Sequence, residues 1–276
     1  MFTFVERQKD INPTTLSMNL IIDIGNTLTK VATFSGDQLH EVWTGSFDQA
    51  PIKIREVMQA ENIRAAILSS VLHTPGEVPE TLHFMQQAGV RVITAQHDMP
   101  LPISISYHSP ETLGTDRIAA AAAGHHFSPD KAVLVINAGT CLTTDLVTAN
   151  GEYLGGTISP GLQMRLRAMH HFTGNLPLIA YHDITKNQDD FTNPQPANTF
   201  PLPGRTTRDA MLLGVKAGMA AEIDGLIAQY QREISFFNVI LSGGDIKIFD
   251  KKLKNRIFAV ENIVLHGLNQ ILNQHA

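Results

Sequence analysis

Two short segments of similar pattern, DIGNTLTK at Asp23–Lys30 and NAGTCLTTD at Asn137–Asp145, most constrain the fold of this chain. Each one follows an apolar run, Asn19–Ile24 before the first and Ala132–Ile136 before the second, and each leads into a further predicted strand. Such a recurrence indicates a duplicated strand–turn–strand unit. The sequence therefore predicts an α/β protein of two related domains with a cleft between them.

The spacing of the predicted elements indicates where each domain begins and ends. Three strands are followed by alternating helices and strands, which indicates mixed sheets covered by helices. The polar connection HHFSPDK separates the halves, so we predict an N-terminal domain at 18–129 and a C-terminal domain at 130–276. Residues 1–17, which precede the first strand, are predicted to be a disordered extension.

Two segments of the second half carry expectations of their own. The stretch 181–203 is polar and rich in proline, which predicts a long loop. Asn262–Leu265 is a short apolar run, which predicts a last strand followed by a short helix.

Composition excludes several classes of protein. The chain has 276 residues, a net charge of −5 and a sequence pI of about 6.2, which argues against a broad electrostatic grip on nucleic acid or an anionic membrane. Cys141 is the single cysteine, so a disulfide framework and a cysteine-based zinc finger are excluded. No stretch has the roughly 20 apolar residues that span a bilayer. We expect a cytoplasmic protein that binds neither nucleic acid nor membrane.

The turn in DIGNTLTK has the groups that a phosphate-binding loop needs. Gly25 lacks a Cβ, so backbone N–H groups can approach a phosphate, while Asn26 and Thr27 add an amide and a hydroxyl. Lys30 adds a positive charge, and Asp23 at the strand end can hold Mg²⁺ directly or through water. The alternative is an ordinary hairpin with a buried Asp cap, and the spacing alone leaves both interpretations open.

Two further glycine turns follow apolar strands in the second half. Gly139-Thr140 repeats the first device, and the segment Ser242–Asp245, SGGD, follows a predicted strand at Asn238–Leu241. Each turn alone is a weak signal, because short glycine turns are common. Together with DIGNTLTK they indicate a nucleotide held between the two domains.

The block GTDR, Gly114–Arg117, lies at a predicted helix start. A carboxylate at Asp116 is explained by a contact with the first turn of that helix, and the residues alone favour this interpretation. Alternatively, Asp116 accepts a proton from a substrate hydroxyl as its oxygen attacks the γ-phosphate of a nucleotide. Arg117 beside it can bind a substrate carboxylate in a bidentate manner.

Six blocks, taken in order, resemble type III pantothenate kinase. They are DIGNTLTK, YHSPETLGTDRIAAAAA, VINAGTCLTTD, GEYLGGTISPGL, GRTTRDAMLLG and LSGGD, and they extend from about Met18 to the C-terminus. The family implies two ribonuclease-H-like domains of the acetate kinase/sugar kinase/Hsp70/actin superfamily, assembled as a homodimer. It implies the ATP-dependent phosphorylation of pantothenate to 4′-phosphopantothenate, the first step towards coenzyme A.

The resemblance also implies roles for individual residues. Asp116 matches the catalytic base of the family, and Asp23 would position Mg²⁺. The residues that would bind ATP are Asp23, Ile24, Gly25, Asn26, Thr27, Leu28, Thr29, Lys30 and, as a further nucleotide contact, Thr140. The residues that would bind pantothenate are Tyr107, Gly114, Thr115, Asp116, Arg117 and Thr207. The adjacent Thr206 leaves the match of Thr207 open by one position.

One position departs from the family pattern. Asn137 stands where the family has an aspartate that ligates a required monovalent cation, K⁺ or NH₄⁺. Asparagine keeps an oxygen ligand but lacks the negative charge, so a hard cation should bind more weakly. We therefore expect a weaker or altered K⁺ requirement.

Two other functions stay open on the residues alone. A non-catalytic accessory or regulatory relative would not need Asp23 and Asp116, and both are present. A different small-molecule kinase of the superfamily would keep both phosphate turns without Tyr107 or the GTDR block.

Overall fold

The computed structural model describes residues 17–70, 77–186, 200 and 202–275, so all but Ser17 of the predicted extension lies outside the described residues. The chain divides into two compact units, one reaching Gln96 and taking in His275, the other running from His97 to Gln274. This division comes earlier than the predicted boundary at 129/130. The reason is that the Ser104–Ile105 strand and the Thr115–Phe127 helix pack within the second unit.

A five-stranded mixed sheet forms the framework of the first unit. Its strands are β1 (Met18–Ile24), β2 (Thr29–Ser35), β3 (Gln38–Gly45), β4 (Ile63–Ser70) and β5 (Arg91–Thr94), in the order β3-β2-β1-β4-β5. The first three are antiparallel neighbours, whereas β4 pairs parallel with β1 and with β5. The unit also contains the helices α1 (Ala50–Ala60) and α2 (Glu77–Gln87). Ile54 of α1 and Met85 of α2 bury one face of the sheet against Ile22 and Leu68.

A six-stranded mixed sheet forms the framework of the second unit. Its strands are β6 (Ser104–Ile105), β7 (Ala132–Ala138), β8 (Cys141–Val147), β9 (Glu152–Pro160), β10 (Phe237–Ser242) and β11 (Phe258–Ala259), in the order β11-β10-β7-β8-β9-β6. Here β7, β8 and β9 are antiparallel neighbours, and β10 pairs parallel with β7 and with β11.

The two sheets have the same strand order, so the faint repeat in the sequence is a repeat of the fold. The order β3-β2-β1-β4-β5 in the first sheet corresponds to β9-β8-β7-β10-β11 in the second. The DIGN and NAGT turns take the equivalent place, after the central strand of each sheet. The predicted α/β class with two mixed sheets is confirmed.

Six described helices accompany the second sheet. They are α3 (Thr115–Phe127), α4 (Leu162–His171), α5 (Tyr181–Lys186), α6 (Thr207–Glu233), α7 (Ile246–Phe249) and α8 (Ile263–Gln274). The alanines of α3 are almost fully buried, and α8 packs closely along them. Gly267 permits this approach, because a Cβ there would lie 1.7 Å from the carbonyl oxygen of Ala119. The contact holds α3, and with it the GTDR block, against the sheet.

Two expectations for the second half differ from the structure. The predicted strand at Asn262–Leu265 is wrong, because the segment leads into α8, whose buried Leu268, Ile271 and Leu272 recur at helical spacing. The predicted loop at 181–203 begins with α5, and 187–199 lies outside the described residues.

Candidate active site

The DIGN turn closes the β1–β2 hairpin of the first unit. The backbone N–H of Gly25 donates to the Leu28 carbonyl over 3.1 Å, and a Cβ at Gly25 would lie 3.0 Å from that oxygen. Asn26, Thr27 and Leu28 are exposed at the tip. Both interpretations of this segment require a hairpin, and the exposed tip leaves it open to a ligand.

Charged side chains stand at the base of this hairpin. In the strand register Asp23 lies directly opposite Lys30 on β2 and Ser69 on β4. Directly opposed residues point to the same face with Cβ atoms about 4.5–5.5 Å apart. Asp23 and Lys30 are both half-buried. A carboxylate and an ammonium group therefore stand side by side, a set that suits Mg²⁺ and phosphate oxygens.

Two of the residues assigned to ATP binding face the core of the first unit. Ile24 and Thr29 form a directly opposed pair, and both are buried. The Thr29 hydroxyl has no hydrogen-bond partner among the residues that the structure describes. Their side chains are thus turned away from a ligand at the tip, and only their backbone groups are available to it.

The second glycine turn is supported by the start of α4. Thr140 is exposed, and Gly139 N–H donates to the Cys141 carbonyl over 3.0 Å. Gly161 N–H donates to the Thr140 carbonyl over 3.1 Å. A Cβ at Gly161 would lie 2.1 Å from the Gly139 oxygen, so this glycine is required by close approach to the turn.

The SGGD turn packs against the second glycine turn. Gly243 has a φ of +103°, and a Cβ there would lie 2.1 Å from the Ala138 carbonyl oxygen. The N–H of Asp245 donates to the same oxygen over 3.0 Å. Because β7 and β10 are parallel neighbours, their turns meet at one edge of the sheet. The structure thus brings together the two turns that the sequence indicated in this unit.

Helix α5 is tied to this edge at Asp245 and to α6 at Lys216. Tyr181 Oη donates to Asp245 Oδ1 over 2.6 Å. Burial raises the pKa of Asp245, and the hydrogen bond from Tyr181 opposes that rise. Near the other end, Lys216 Nζ donates to the Ile184 carbonyl over 2.6 Å, and burial lowers the pKa of Lys216.

Asp116 lies in the first turn of α3, as predicted. Gly114 precedes the helix, and a Cβ there would lie 2.5 Å from Asp116 Oδ1, so the glycine leaves room for the carboxylate. The same oxygen accepts from the Arg117 N–H over 2.9 Å. This contact is the helix-start interaction that the residues favoured. A carboxylate has about four lone-pair sites, so the contact is compatible with a second role as a base.

Arg117 is held by a buried carboxylate that the sequence analysis left without a role. Its Nε and Nη2 lie 2.9 Å and 2.8 Å from Asp145 Oδ1. Burial is the largest single influence on the pKa of Arg117 and acts to lower it. The charge of Asp145, the hydrogen bond to Asp145 and the smaller effects of Tyr153 and Tyr107 together outweigh burial, so the pKa is raised. Burial raises the pKa of Asp145 to about 6, with Arg117 opposing the rise. Both shifts leave the pair ionised at pH 7.

Tyr107 lies beside this pair. Its ring centroid is 6.0 Å from that of Tyr153, which donates from Oη to Asp145 Oδ1 over 2.9 Å. Burial and the neighbouring charge of Asp145 raise the pKa of Tyr153. The side chain of Tyr107 also hydrogen-bonds to Arg117. The structure therefore brings Tyr107 together with Arg117 of the GTDR block, and a shared role in substrate binding stays a prediction.

Thr207 is the assigned residue that the described contacts do not join to this group. It is exposed in the first turn of α6, and no described contact links it to Tyr107 or Arg117. The adjacent Thr206 caps α6, because its hydroxyl accepts from Asp209 N–H over 3.1 Å. The hydroxyl of Thr206 is thus engaged in capping, whereas Thr207 is exposed beside it.

Asn137 stands at the end of β7 between two hydroxyl residues. In the register it lies opposite Thr143 on β8 and Ser242 on β10. It is half-buried, so a cation could reach it. The side-chain oxygens offered here are neutral amide and hydroxyl groups, which suit a monovalent cation but supply no compensating charge.

Two properties of the described residues as a whole bear on function. Within 17–70, 77–186, 200 and 202–275, no group of three or more His, Cys, Asp or Glu side chains is placed to hold a metal ion. None of the helices in those ranges is long and apolar enough to cross a membrane.

Sequence reasoning missed several residues that contact the predicted site residues. Asp145, Tyr153 and Tyr181 were given no role. A signal was present for Tyr153, since a tyrosine in an apolar strand needs a partner for its hydroxyl when it is buried. No local signal pairs Asp145 with Arg117, because the two residues are far apart in the chain and meet through the packing of α3 on β8.

The chain is similar to known proteins in both sequence and structure. A family model described as type III pantothenate kinase matches residues 19–229. A type III pantothenate kinase from Bacteroides fragilis strain ATCC 25285 is 42% identical over 256 residues, covering 93% of this chain and 98% of that protein. One from Cytophaga hutchinsonii is 35% identical over 260 residues, covering 93% and 99%.

Solved structures share the fold at low sequence identity. A Campylobacter jejuni protein assigned to the Baf family of transcriptional activators has a TM-score of 0.54 at 20% identity, covering 93% of this chain and 98% of that one. A ROK family glucokinase from Streptomyces griseus, in complex with glucose and AMPPNP, has a TM-score of 0.54 at 11% identity, covering 94% and 100%. At these identities the likeness shows the fold alone.

Proposed function

The chain belongs to the type III pantothenate kinase family, and from that premise we propose how its residues carry out the reaction. The reaction is the phosphorylation of pantothenate to 4′-phosphopantothenate, the first step of coenzyme A biosynthesis, with ATP as donor. The observation that carries this conclusion is the family match over residues 19–229, with relatives at 35% and 42% identity over nearly their full length.

Asp116 is the proposed catalytic base. The primary hydroxyl of pantothenate gives its proton to the Asp116 carboxylate while its oxygen forms a bond to the γ-phosphorus of ATP. The bond from that phosphorus to the β–γ bridging oxygen breaks, and ADP leaves with the electron pair. The GTDR block and Tyr107 support this role, since they converge in one unit.

Arg117 is the proposed partner of the pantothenate carboxylate. The bidentate grip expected from the sequence is not available in this arrangement, because Nε and Nη2 both bind Asp145. A bidentate contact needs Nη2 together with Nε or Nη1. Arg117 therefore offers the substrate Nη1 alone.

The DIGN hairpin is the proposed site for the phosphates of ATP. Lys30 carries the positive charge that the phosphate oxygens require, and the exposed tip at 26–28 supplies polar groups. Asp23 would hold Mg²⁺, which, when bound, neutralises negative charge on the phosphates. One carboxylate fits this ion, since Mg²⁺ is commonly held by one or two carboxylates together with substrate phosphates and water.

A weakened monovalent-cation requirement is proposed for the Asn137 site. The register neighbours Thr143 and Ser242 add neutral hydroxyls only. We expect the wild type to need more KCl for half-maximal rate than the Asn137→Asp variant, with a choline chloride series as the ionic-strength control. A wild-type rate that saturates at low millimolar KCl, unchanged in Asn137→Asp, would contradict this proposal.

A cytoplasmic homodimer that binds neither nucleic acid nor membrane is the proposed state of the protein. The family resemblance carries the dimer, and the exposed apolar side chains of Leu154, Ile158 and Phe172 are consistent with a covered surface. The single cysteine and the net charge of −5 support the rest. Light scattering on a sizing column measures the mass directly, and a monomer at micromolar concentration would refute the dimer.

ADP release by the purified protein, measured with pantothenate, sugars and acetate, tests the function. Of these acceptors, we expect only pantothenate to give turnover. A regulatory relative would give no turnover with any acceptor, and another small-molecule kinase would use a different acceptor. Asp116→Asn should lower turnover by roughly 10²–10⁴ without lowering the melting temperature. Asp130→Asn is the matched control, since Asp130 lies in a turn at a φ of 64° that asparagine also adopts. Near-normal turnover in Asp116→Asn would remove Asp116 from the role of base.

A further inference from the structure

Asp145 is the centre of a buried polar group, here called the Arg117 cluster, formed by Arg117, Asp145 and Tyr153. Asp145 Oδ1 accepts from Arg117 Nε over 2.9 Å, and Arg117 Nη2 lies 2.8 Å away. Tyr153 Oη donates to the same oxygen over 2.9 Å. Asp145 and Tyr153 are fully buried, and Arg117 is 7% exposed. The cluster joins α3 to β8 and β9.

The donors of Arg117 show which part of it is left for a ligand. A guanidinium has five N–H groups. Nε uses its single N–H on Asp145, and Nη2 uses its two on Asp145 and on the Thr144 carbonyl, 3.3 Å away. Nη1 carries the two remaining N–H groups, and the hydrogen bond with the Tyr107 side chain uses one of them. The cluster thus fixes one edge of the guanidinium and presents the other.

Stability alone does not explain such a cluster. Replacing a buried ion pair by apolar residues of similar volume is often neutral or stabilising. A free arginine side chain carries considerable rotamer entropy, which it loses when it binds a ligand. Asp145 holds the guanidinium before the ligand binds, and Tyr153 holds Asp145. The rotamer entropy of Arg117 is therefore already lost when the ligand binds, and binding does not have to offset it.

We propose that Tyr153 and Asp145 are positioning residues that hold Arg117 so that Nη1 selects a carboxylate-bearing acceptor. This rests on the proposed function and goes beyond it, because it names how one side of the acceptor is recognised. Tyr153 touches neither reacting atom and acts through Asp145 and Arg117. Its loss should therefore weaken discrimination for the carboxylate while leaving the use of ATP unchanged.

The test compares two acceptors with one enzyme preparation. Pantothenate and its alcohol analogue, in which CH₂OH replaces the carboxylate, share the hydroxyl that is phosphorylated. The readout is the ratio of kcat/KM for pantothenate to kcat/KM for the alcohol, with the inhibition constant of the alcohol used if its turnover is too slow. Tyr153→Phe should lower this ratio about tenfold, the scale of one hydrogen bond to a charged group. The KM for ATP should not change.

Tyr230→Phe is the matched control. Tyr230 Oη lies 3.4 Å from Thr144 Oγ1, on the strand that carries Asp145, but makes no described contact with the Arg117 cluster. Its removal should leave the ratio at the wild-type value. The ratio does not depend on the fraction of folded enzyme, because both acceptors meet the same sample, so a partly unfolded variant still gives an answer.

Each result has a separate meaning. A wild-type enzyme that phosphorylates no pantothenate refutes the proposed function. A wild type that uses both acceptors equally refutes carboxylate selection while the kinase activity stands. An unchanged ratio in Tyr153→Phe, or an equal fall in Tyr230→Phe, refutes the positioning role.

Discussion

Replacing Gly267 by alanine tests whether the close contact of α8 with α3 holds the GTDR residues in place. In an exposed helix this change would stabilise the protein by about 1 kcal/mol, since glycine is a poor helix former. Here the new Cβ would lie 1.7 Å from the Ala119 carbonyl oxygen and 2.3 Å from its carbon. The overlapping atoms belong to the backbone of α3, which cannot relieve the overlap by a rotamer change as a side chain can.

The size of the effect follows from this overlap. To reach an ordinary contact, α8 must move away from α3 by more than 1 Å, and a gap of about that size forfeits a quarter to a half of the dispersion energy of each contact. Overpacking costs about 1–3 kcal/mol, and a backbone obstacle puts this site at or above the upper end. After the gain in helix propensity, we expect a net loss of about 2 kcal/mol, or roughly 4–8 °C in Tm for a unit of this size.

Thermal unfolding followed by circular dichroism, together with kcat, is the assay. Turnover should fall as well, because α3 carries Asp116 and a shift of about 1 Å can cost 10²-fold in rate. Gly218→Ala on α6 is the control, since a Cβ there meets nothing within 4 Å, and its Tm should rise slightly or stay the same. A Gly267→Ala variant that melts at or above the wild-type temperature would refute the argument.

Three further changes probe the rest of the second unit. Burial raises the pKa of Asp145 from 3.8 to about 6, so its contribution to the free energy of unfolding falls as pH rises from about 4 to 6 and is constant above that range. The hydrogen bond from Tyr153 opposes this rise in pKa, and Tyr153→Phe removes it. In urea unfolding, the loss of stability in Tyr153→Phe relative to the wild type should therefore increase with pH over this range. Tyr181→Phe should cost about 1–3 kcal/mol in urea unfolding, because it leaves the buried Asp245 without its donor, and an unchanged midpoint would show that the carboxyl finds another partner. Gly161→Ala should raise the KM for ATP more than the KM for pantothenate in initial-rate assays, because the new Cβ would overlap with the Gly139-Thr140 turn. Equal rises in the two KM values would contradict a contact between that turn and the nucleotide.

The fold class could be predicted because the apolar strands and the glycine turns recur in the same order in both halves. The division between the units could not, since the alanines of α3 indicate close packing without indicating the partner. That partner is α8, at the far end of the chain. The strand predicted at Asn262–Leu265 is wrong for a related reason. Four apolar-rich residues fit a strand or a helix equally well, and burial of the later Leu268 and Ile271 decides between them.

The candidate site divides in the same way. The place of Asp116 and Arg117 at a helix start could be predicted from the GTDR block, and the structure has both residues in the first turn of α3. Their roles in the reaction stay predictions. The pairing of Arg117 with Asp145 depends on how α3 lies across β8, and no local pattern carries that information. Because Nε and Nη2 of Arg117 bind Asp145, the bidentate contact with the substrate that the sequence predicts is replaced by a contact through Nη1.

The two equivalent turns show that one strand order can carry two different sets of side chains. In each copy the residue at the end of the central strand has a serine on its parallel neighbour, Ser69 beside Asp23 and Ser242 beside Asn137. On the hairpin side the copies have diverged, to a charged partner in one and a neutral Thr143 in the other. The scaffold is retained while the chemistry differs. The chain thus contains its own paired comparison, in which one inherited strand order serves an ionic turn and a neutral one.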